Sequence, residues 1–280
     1  MLFRSTDRVN VDVHSNITDN SGERSAWISS PKLSLIFGPW SQTEFFANSG
    51  WGFHSNDARG TTTRIDPASG ATVQPAPALV RSKGQEAGVR TEWIPGLQSS
   101  LALWRLTLAS ELIFVGDAGT TQATRPSSRR GIEWSNRYIP RDWLLFDADF
   151  SLSRARFRDD DPAGNLIPGS INRVASLGAT FNERGSWSGN LTLRYFGPRP
   201  LIADNSARSQ STLLWNSRVS YRIEKNLRLA VDVINLFDRK VNDIDYFYAS
   251  QLRGEAASTN DLHFHPVEPR SLRVSLVANF

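Results

Sequence analysis

Cysteine is absent from the 280-residue chain, which excludes disulfides, thiolate metal sites and thiol nucleophiles. Lysine is scarce, occurring only at Lys32, Lys83, Lys225 and Lys240. No stretch approaches the ~18 consecutive apolar residues of a helical membrane span, although 39% of the chain is hydrophobic. The opening Met1-Leu-Phe-Arg-Ser-Thr-Asp has no basic head followed by an apolar run, so no export signal is legible there. Basic residues outnumber acidic ones by only 32 to 28 and are dispersed, which argues against a nucleic-acid partner. The small clusters Arg125/Arg129/Arg130 and Arg154/Arg156/Arg158 read as solvated loop or lumen charge. There is no Gly-x-Ser-x-Gly elbow, and the four histidines are His14, His54, His263 and His265. No catalytic set is marked, and neither enzyme activity nor a cofactor is expected.

What the chain has in abundance is alternation. Period-2 segments predict twelve strands near 7–14, 31–37, 42–53, 84–94, 98–115, 129–138, 143–153, 172–182, 186–196, 210–222, 226–236 and 270–280. In the last of these, Leu272, Val274, Leu276, Ala278 and Phe280 share one face, and Arg273, Ser275, Val277 and Asn279 share the other. Most segments reach the ~9–11 tilted residues that cross a bilayer's hydrocarbon.

Alternation alone would also suit a soluble sandwich, so the connections decide. Short ones at 38–41, 95–97, 139–142, 183–185 and 223–225 alternate with long ones at 15–30, 54–83, 116–128, 154–171, 197–209 and 237–269. A transmembrane barrel sorts its connections in this way, with tight turns on one side and long loops on the other. Trp40, Trp93, Trp143 and Trp187 lie at the short turns, where an aromatic girdle would meet lipid headgroups. The terminal Phe280, with apolar residues at every second position before it, has the form of a membrane barrel's last strand.

Three stretches carry a family resemblance: Asn48-Ser-Gly-Trp-Gly-Phe-His-Ser-Asn-Asp-Ala-Arg-Gly60, Asp232-Val-Ile-Asn-Leu-Phe-Asp238 and Glu268-Pro-Arg-Ser-Leu-Arg-Val-Ser-Leu-Val-Ala-Asn-Phe280. With them the chain resembles the C-terminal part of TonB-dependent outer-membrane receptors. The resemblance implies an all-β, antiparallel transmembrane barrel portion over residues 1–280, about twelve strands of a 22-stranded wall. No plug domain or energy-coupling box is legible in the sequence. It further implies an outer membrane of a Gram-negative bacterium, insertion by barrel assembly machinery, and contact with TonB only through a part N-terminal to these strands. The implied cargo is a ferric siderophore or similar small solute or metal chelate. The alternatives are an autonomous twelve-stranded passive pore and a soluble all-β binding module. An open sheet leaves edge backbone groups unsatisfied in lipid, but closing twelve strands fixes tilt and shear and demands a tighter curvature than the strands of a wide barrel have, so a curved, open or imperfectly closed wall is expected.

Ligand contacts are sought in the longest loops. His54, Asn56, Asp57 and Arg59 form one polar cluster, which could instead stabilise its own turns. Asp243, Asp245, Tyr246 and Tyr248 precede His263 and His265, whose i, i+2 spacing places both imidazoles on one side of an extended segment. With Asp261 they suggest a transition-metal trio, and Asp159-Asp160-Asp161 suggests calcium. Neither has a full ligand pattern, so no metal site is assigned. Parity assigns Arg90, Glu92, Asp147, Asp149, Arg194, Arg218, Arg228 and Asp232 to the wet inner wall.

Overall fold

The computed structural model describes residues 1–67, 70–115, 120–123 and 125–279, so the expectation placed on Phe280 lies outside the described residues. The strands are β1 (Leu2–Val13), β2 (Gly22–Trp40), β3 (Thr43–Ser55), β4 (Leu79–Thr91), β5 (Leu97–Leu108), β6 (Leu112–Val115), β7 (Thr120–Ala123) and β8 (Ser127–Arg141). They continue with β9 (Leu144–Phe157), β10 (Arg173–Arg184), β11 (Trp187–Phe196), β12 (Thr212–Glu224), β13 (Leu227–Ile234), β14 (Asn242–Ser250), β15 (Thr259–Pro266) and β16 (Ser271–Ala278). Twelve of these form one antiparallel sheet in chain order, while β6–β7 and β14–β15 stand apart as two-stranded hairpins.

The twelve expected strands are these twelve, with boundary corrections. The segment expected to run unbroken over 98–115 is cut, because β5 ends at Leu108 and Leu112–Val115 pairs instead with β7. The buried Glu111 carboxylate anchors the break by accepting bonds from Arg129, at 2.5 Å, and from the Ser127 hydroxyl. β2 is also far longer than its apolar run, since Gly22–Ser30 pairs residue for residue with Ser5–Val13. The loop expected over 15–30 therefore shrinks to 14–21. The sorting of connections survives: 41–42, 92–96, 142–143, 185–186 and 225–226 close one end of the sheet, and every connection at the other end is longer. In the 92–96 turn, Gly96 takes φ +79, and a Cβ there would run into the Ile139 carbonyl oxygen.

The register gives the sheet two unlike faces. Leu103, Ile132 and Leu152 lie opposite one another across β5, β8 and β9, and Leu101, Trp134 and Phe150 form the next row. All six are exposed, as are Leu272, Val274 and Leu276 at 67%, 61% and 64%. The buried apolar cluster consists of Ala155, Phe157 and Ile167, beside the loops. Left in water, each large exposed side chain would forgo about 1.5–3 kcal/mol of transfer energy. A face built this way needs an apolar solvent, which removes the soluble-module alternative. Trp40, Trp93 and Trp187 stand exposed at the short turns, and Trp143 lies beneath the Arg184 guanidinium at 4.5 Å. Among the described residues no ladder joins β1 to β16, so the wall is open, as the count of twelve strands led one to expect. Among the described residues no helix is long and apolar enough to cross a membrane.

Candidate functional site

The residues opposite the apolar face are polar and mostly paired. Arg90 on β4 donates to Glu44 on β3 at 2.5 Å, and Gln98 donates to Glu92 just past β4 at 3.1 Å. Arg218 and Asp232 face each other across β12 and β13, 3.6 Å apart. Arg228 and Arg222 both reach Glu183, at 3.2 and 3.1 Å. Asp147 and Asp149 lie in register with Arg137 and Ser135 of β8, and Gly178 of β10 leaves room beside Asp147. Together Glu44, Arg90, Glu92, Arg137, Asp147 and Asp149 line a concavity of about 710 Å³ toward the short-turn end. A second one, of about 470 Å³, is floored by Gly50, Gly52 and Gly84 and walled by Glu86 and Trp104. The glycine-floored recess was not singled out in the sequence, because its glycines come from two strands that only the register brings together.

The first loop cluster serves its own architecture. His54 contacts the Ser110 carbonyl through Nε2 at 3.0 Å, Asn56 donates to the Pro77 carbonyl at 2.6 Å, and Asp57 grips Arg59 at 2.6 Å. That grip holds the Asp57 carboxyl below its usual range, chiefly through the Arg59 side-chain hydrogen bonds. Asp57 and Arg59 thus bind within their own turn and Asn56 within its own loop, whereas His54 reaches the connection that follows β5.

The second cluster is a formed hairpin. Tyr246 pairs with His263 and Ile244 with His265, so Tyr246, Tyr248, Asp261, His263 and His265 share one face, while Asp245 lies on the other and is buried. Tyr248 stacks on His263 at 3.9 Å and 15°, and Tyr246 meets His265 edge-on at 6.0 Å. The hairpin reaches the wall through Asp243, 3.5 Å from Arg194, and through Arg199, which lies 3.9 Å from Asp245 and donates to the Asp243 carbonyl. Among the described residues no group of three or more His, Cys, Asp or Glu is placed to hold a metal ion.

Asn-Leu-Phe-Asp acts as a knot at the end of β13. Asn235, φ +52 and buried, donates through Nδ2 to the carbonyls of Arg239 and Glu268, and its Oδ1 accepts from the Arg239 N–H. The Asn216 amide oxygen accepts the Asn235 N–H, and Asp238 accepts the Arg270 N–H. Phe237 meets Trp215 edge-on at 6.1 Å. Both ends of the 235–270 loop are thereby tied to the wall. A second clamp, unmarked in the sequence, joins neighbouring loops: Arg125 holds Asp159 at 2.6 Å and the Gly164 carbonyl at 3.0 Å, over the Phe157 ring. The Arg125 hydrogen bonds keep the Asp159 carboxyl below its ordinary range. The three aspartates suggested for calcium are thus partly committed to an arginine.

An antiparallel wall with one lipid-compatible face, one charged face and loops sorted by side is a membrane β-barrel wall. The chain belongs to the family described as TonB dependent receptor-like, beta-barrel, which matches residues 3–236. It lies in the outer membrane of a Gram-negative bacterium, in a family of receptors rather than enzymes. Among solved structures it is similar to the ferric-catecholate import receptor Fiu of E. coli K12 (TM-score 0.69, 16% identity, 93% of this chain and 36% of that one). It is also similar to the ferric yersiniabactin uptake receptor FyuA of Yersinia pestis (0.71, 16%, 92% and 38%). The copper transporter OprC is a third (0.70, 18%, 93% and 41%). The chain thus spans well under half the length of these receptors. Comparison with curated proteins finds no match.

Proposed function

We propose that the 280 residues form the C-terminal part of the wall of a TonB-dependent uptake receptor, taking in a ferric siderophore or a similar small metal chelate. The observation carrying this reading is the charged, concave face from Glu44 to Asp149, set opposite an apolar outer face. In this reading Arg90, Glu92, Asp147, Asp149, Arg194, Arg218, Arg228 and Asp232 line the lumen. The β14–β15 hairpin, with Tyr246, Tyr248, His263 and His265, and the 54–59 loop lie on the outer side and meet the solute. Further strands complete the barrel, a segment N-terminal to β1 engages TonB, and barrel assembly machinery inserts the wall. Similar receptors named for ferric catecholate and ferric yersiniabactin support an iron chelate as the cargo, and a similar transporter named for copper widens the class of metal.

The test is growth on a panel of iron and copper chelates by cells with the complete reading frame deleted or restored, with and without TonB. Loss of growth on one chelate, restored only when TonB is present, supports the proposal. Identical growth on every chelate refutes it. Uptake that ignores TonB, with single-channel conductance from the isolated chain, would point to a passive pore instead.

A further inference from the structure

On the four strands β4, β5, β8 and β9 the outward face carries charge of one sign, whereas β1 and β2 add the acidic pair Asp12 and Glu23 to it at their loop end. On β4, β5, β8 and β9 the side chains sharing the lipid-facing parity include Arg81, Lys83, Arg105, Arg130, Arg154 and Arg156, and no acidic residue. The opposite face of the same four strands mixes Glu86, Glu133, Asp147 and Asp149 with Arg90, Arg129 and Arg137. The basic residues all lie toward the long-loop end, above the apolar rows. This corrects the reading of the arginine clusters as loop or lumen charge: Arg130 and Arg154 face outward, while Arg129 turns inward to Glu111.

Three of these residues form a row. Arg105 is directly opposite Arg130, and Arg130 directly opposite Arg154. With strands about 4.8 Å apart, three guanidinium groups share a strip roughly 10 Å wide. All three are exposed, and none makes a hydrogen bond or ion pair among the described residues. Like charges at directly opposed cross-strand positions destabilise a sheet, so a threefold repeat calls for an anion. The row immediately beneath is Leu103, Ile132 and Leu152, all exposed and apolar. Nearby, Lys83 and Arg81 sit over the Trp51 ring at 5.2 and 5.6 Å.

We propose that Arg105, Arg130 and Arg154 bind the phosphate-bearing headgroup of an outer-leaflet lipid, whose acyl chains lie along the Leu103–Ile132–Leu152 row. The long-loop end of an outer-membrane barrel faces the exterior, which places the arginines at the depth of the outer leaflet's headgroups. The planar guanidinium fork matches phosphate oxygens in paired hydrogen bonds. A lipid suits the strip better than free phosphate, because the charges stand directly above an apolar surface. The proposal rests on the membrane orientation of the wall and is independent of any chelate transported.

The test uses protein extracted from outer membranes in mild detergent. Retained lipid is measured by native mass spectrometry, followed by titration with bisphosphorylated lipid A, dephosphorylated lipid A and inorganic phosphate. Replacing the row together (Arg105→Gln, Arg130→Gln, Arg154→Gln) should weaken binding of phosphorylated lipid A by about a hundredfold, at roughly tenfold or less per charge near a membrane surface. Removing three exposed charges elsewhere (Arg239→Gln, Arg253→Gln, Arg270→Gln) should change it less than about threefold. In lipid-free detergent the row variant should unfold at a higher temperature than the parent, because the repulsion is gone, and phosphorylated lipid A should reverse that order. Equal lipid retention by the two triple variants would overturn the proposal. Equal binding of dephosphorylated lipid A, competition by inorganic phosphate at matching concentration, or a row variant that unfolds earlier without lipid would do the same.

Discussion

Leu177 and Ser176 are chain neighbours on β10 with opposite surroundings. Leu177 points outward, exposed between Ala148 of β9 and Leu193 of β11, whereas Ser176 points inward between Asp149 and Arg194. Leu177→Arg puts a cation into hydrocarbon near mid-strand, at a cost of about 2–4 kcal/mol for a midplane position on a barrel's lipid face. That corresponds to a roughly 30- to 1000-fold fall in the folded-to-unfolded ratio. Ser176→Arg introduces the same side chain beside one carboxylate and one guanidinium on the wet face, with an expected effect within about 0.5 kcal/mol. Denaturant titration of the barrel in lipid vesicles, followed by tryptophan fluorescence, measures both, and outer-membrane abundance in cells gives a parallel readout. Because the substitutions differ by one residue in position and share the introduced group, propensity and net charge largely cancel. If Ser176→Arg proved as costly as Leu177→Arg, the assignment of the two faces would fail, and the lumen and lipid surfaces would fall with it.

Three further outcomes are expected. Asn235→Ala, which removes the side-chain half of the knot, should destabilise the barrel by about 2–4 kcal/mol and raise proteolysis within 239–268; unchanged cleavage there would show that the loop is held elsewhere. A Cβ at Gly88 would lie 2.5 Å from the Phe46 ring and closer still to the Leu101 carbonyl, whereas one at Gly84 meets open space. Gly88→Ala should therefore cost about 1–3 kcal/mol and Gly84→Ala should be neutral or stabilising by up to ~1 kcal/mol in the same titration. The Arg125–Asp159 clamp involves a carboxyl whose folded value is lowered, so its contribution is complete above the ordinary aspartate range near pH 4 and is lost as pH falls through the lower folded value. Hydrogen exchange over 158–165 should accelerate through that acid window in the parent, and Asp159→Asn should already exchange fast at neutral pH, with the acid step absent.

Which residues share a face, how many strands cross and which connections are tight were legible in the chain itself, because period-2 alternation and turn chemistry are local properties. The same locality explains where the reading stopped. The strand expected through Val115 ends at Leu108 because Glu111 is captured by Arg129 and Ser127, partners that lie beyond the next hairpin. Among the candidate loop residues Asp57 and Arg59 bind each other while His54 reaches the Ser110 carbonyl of another connection, and the expected inner-wall residues acquired partners such as Asp243 for Arg194 that lie far away in sequence. Arg129 and Arg130 look like one cluster on paper, yet adjacent strand residues point to opposite sides, and only pairing brings Arg130 between Arg105 and Arg154. Alternation is written residue by residue, but register is settled by the ladder between strands, and it was the register that gathered distant charges into a row.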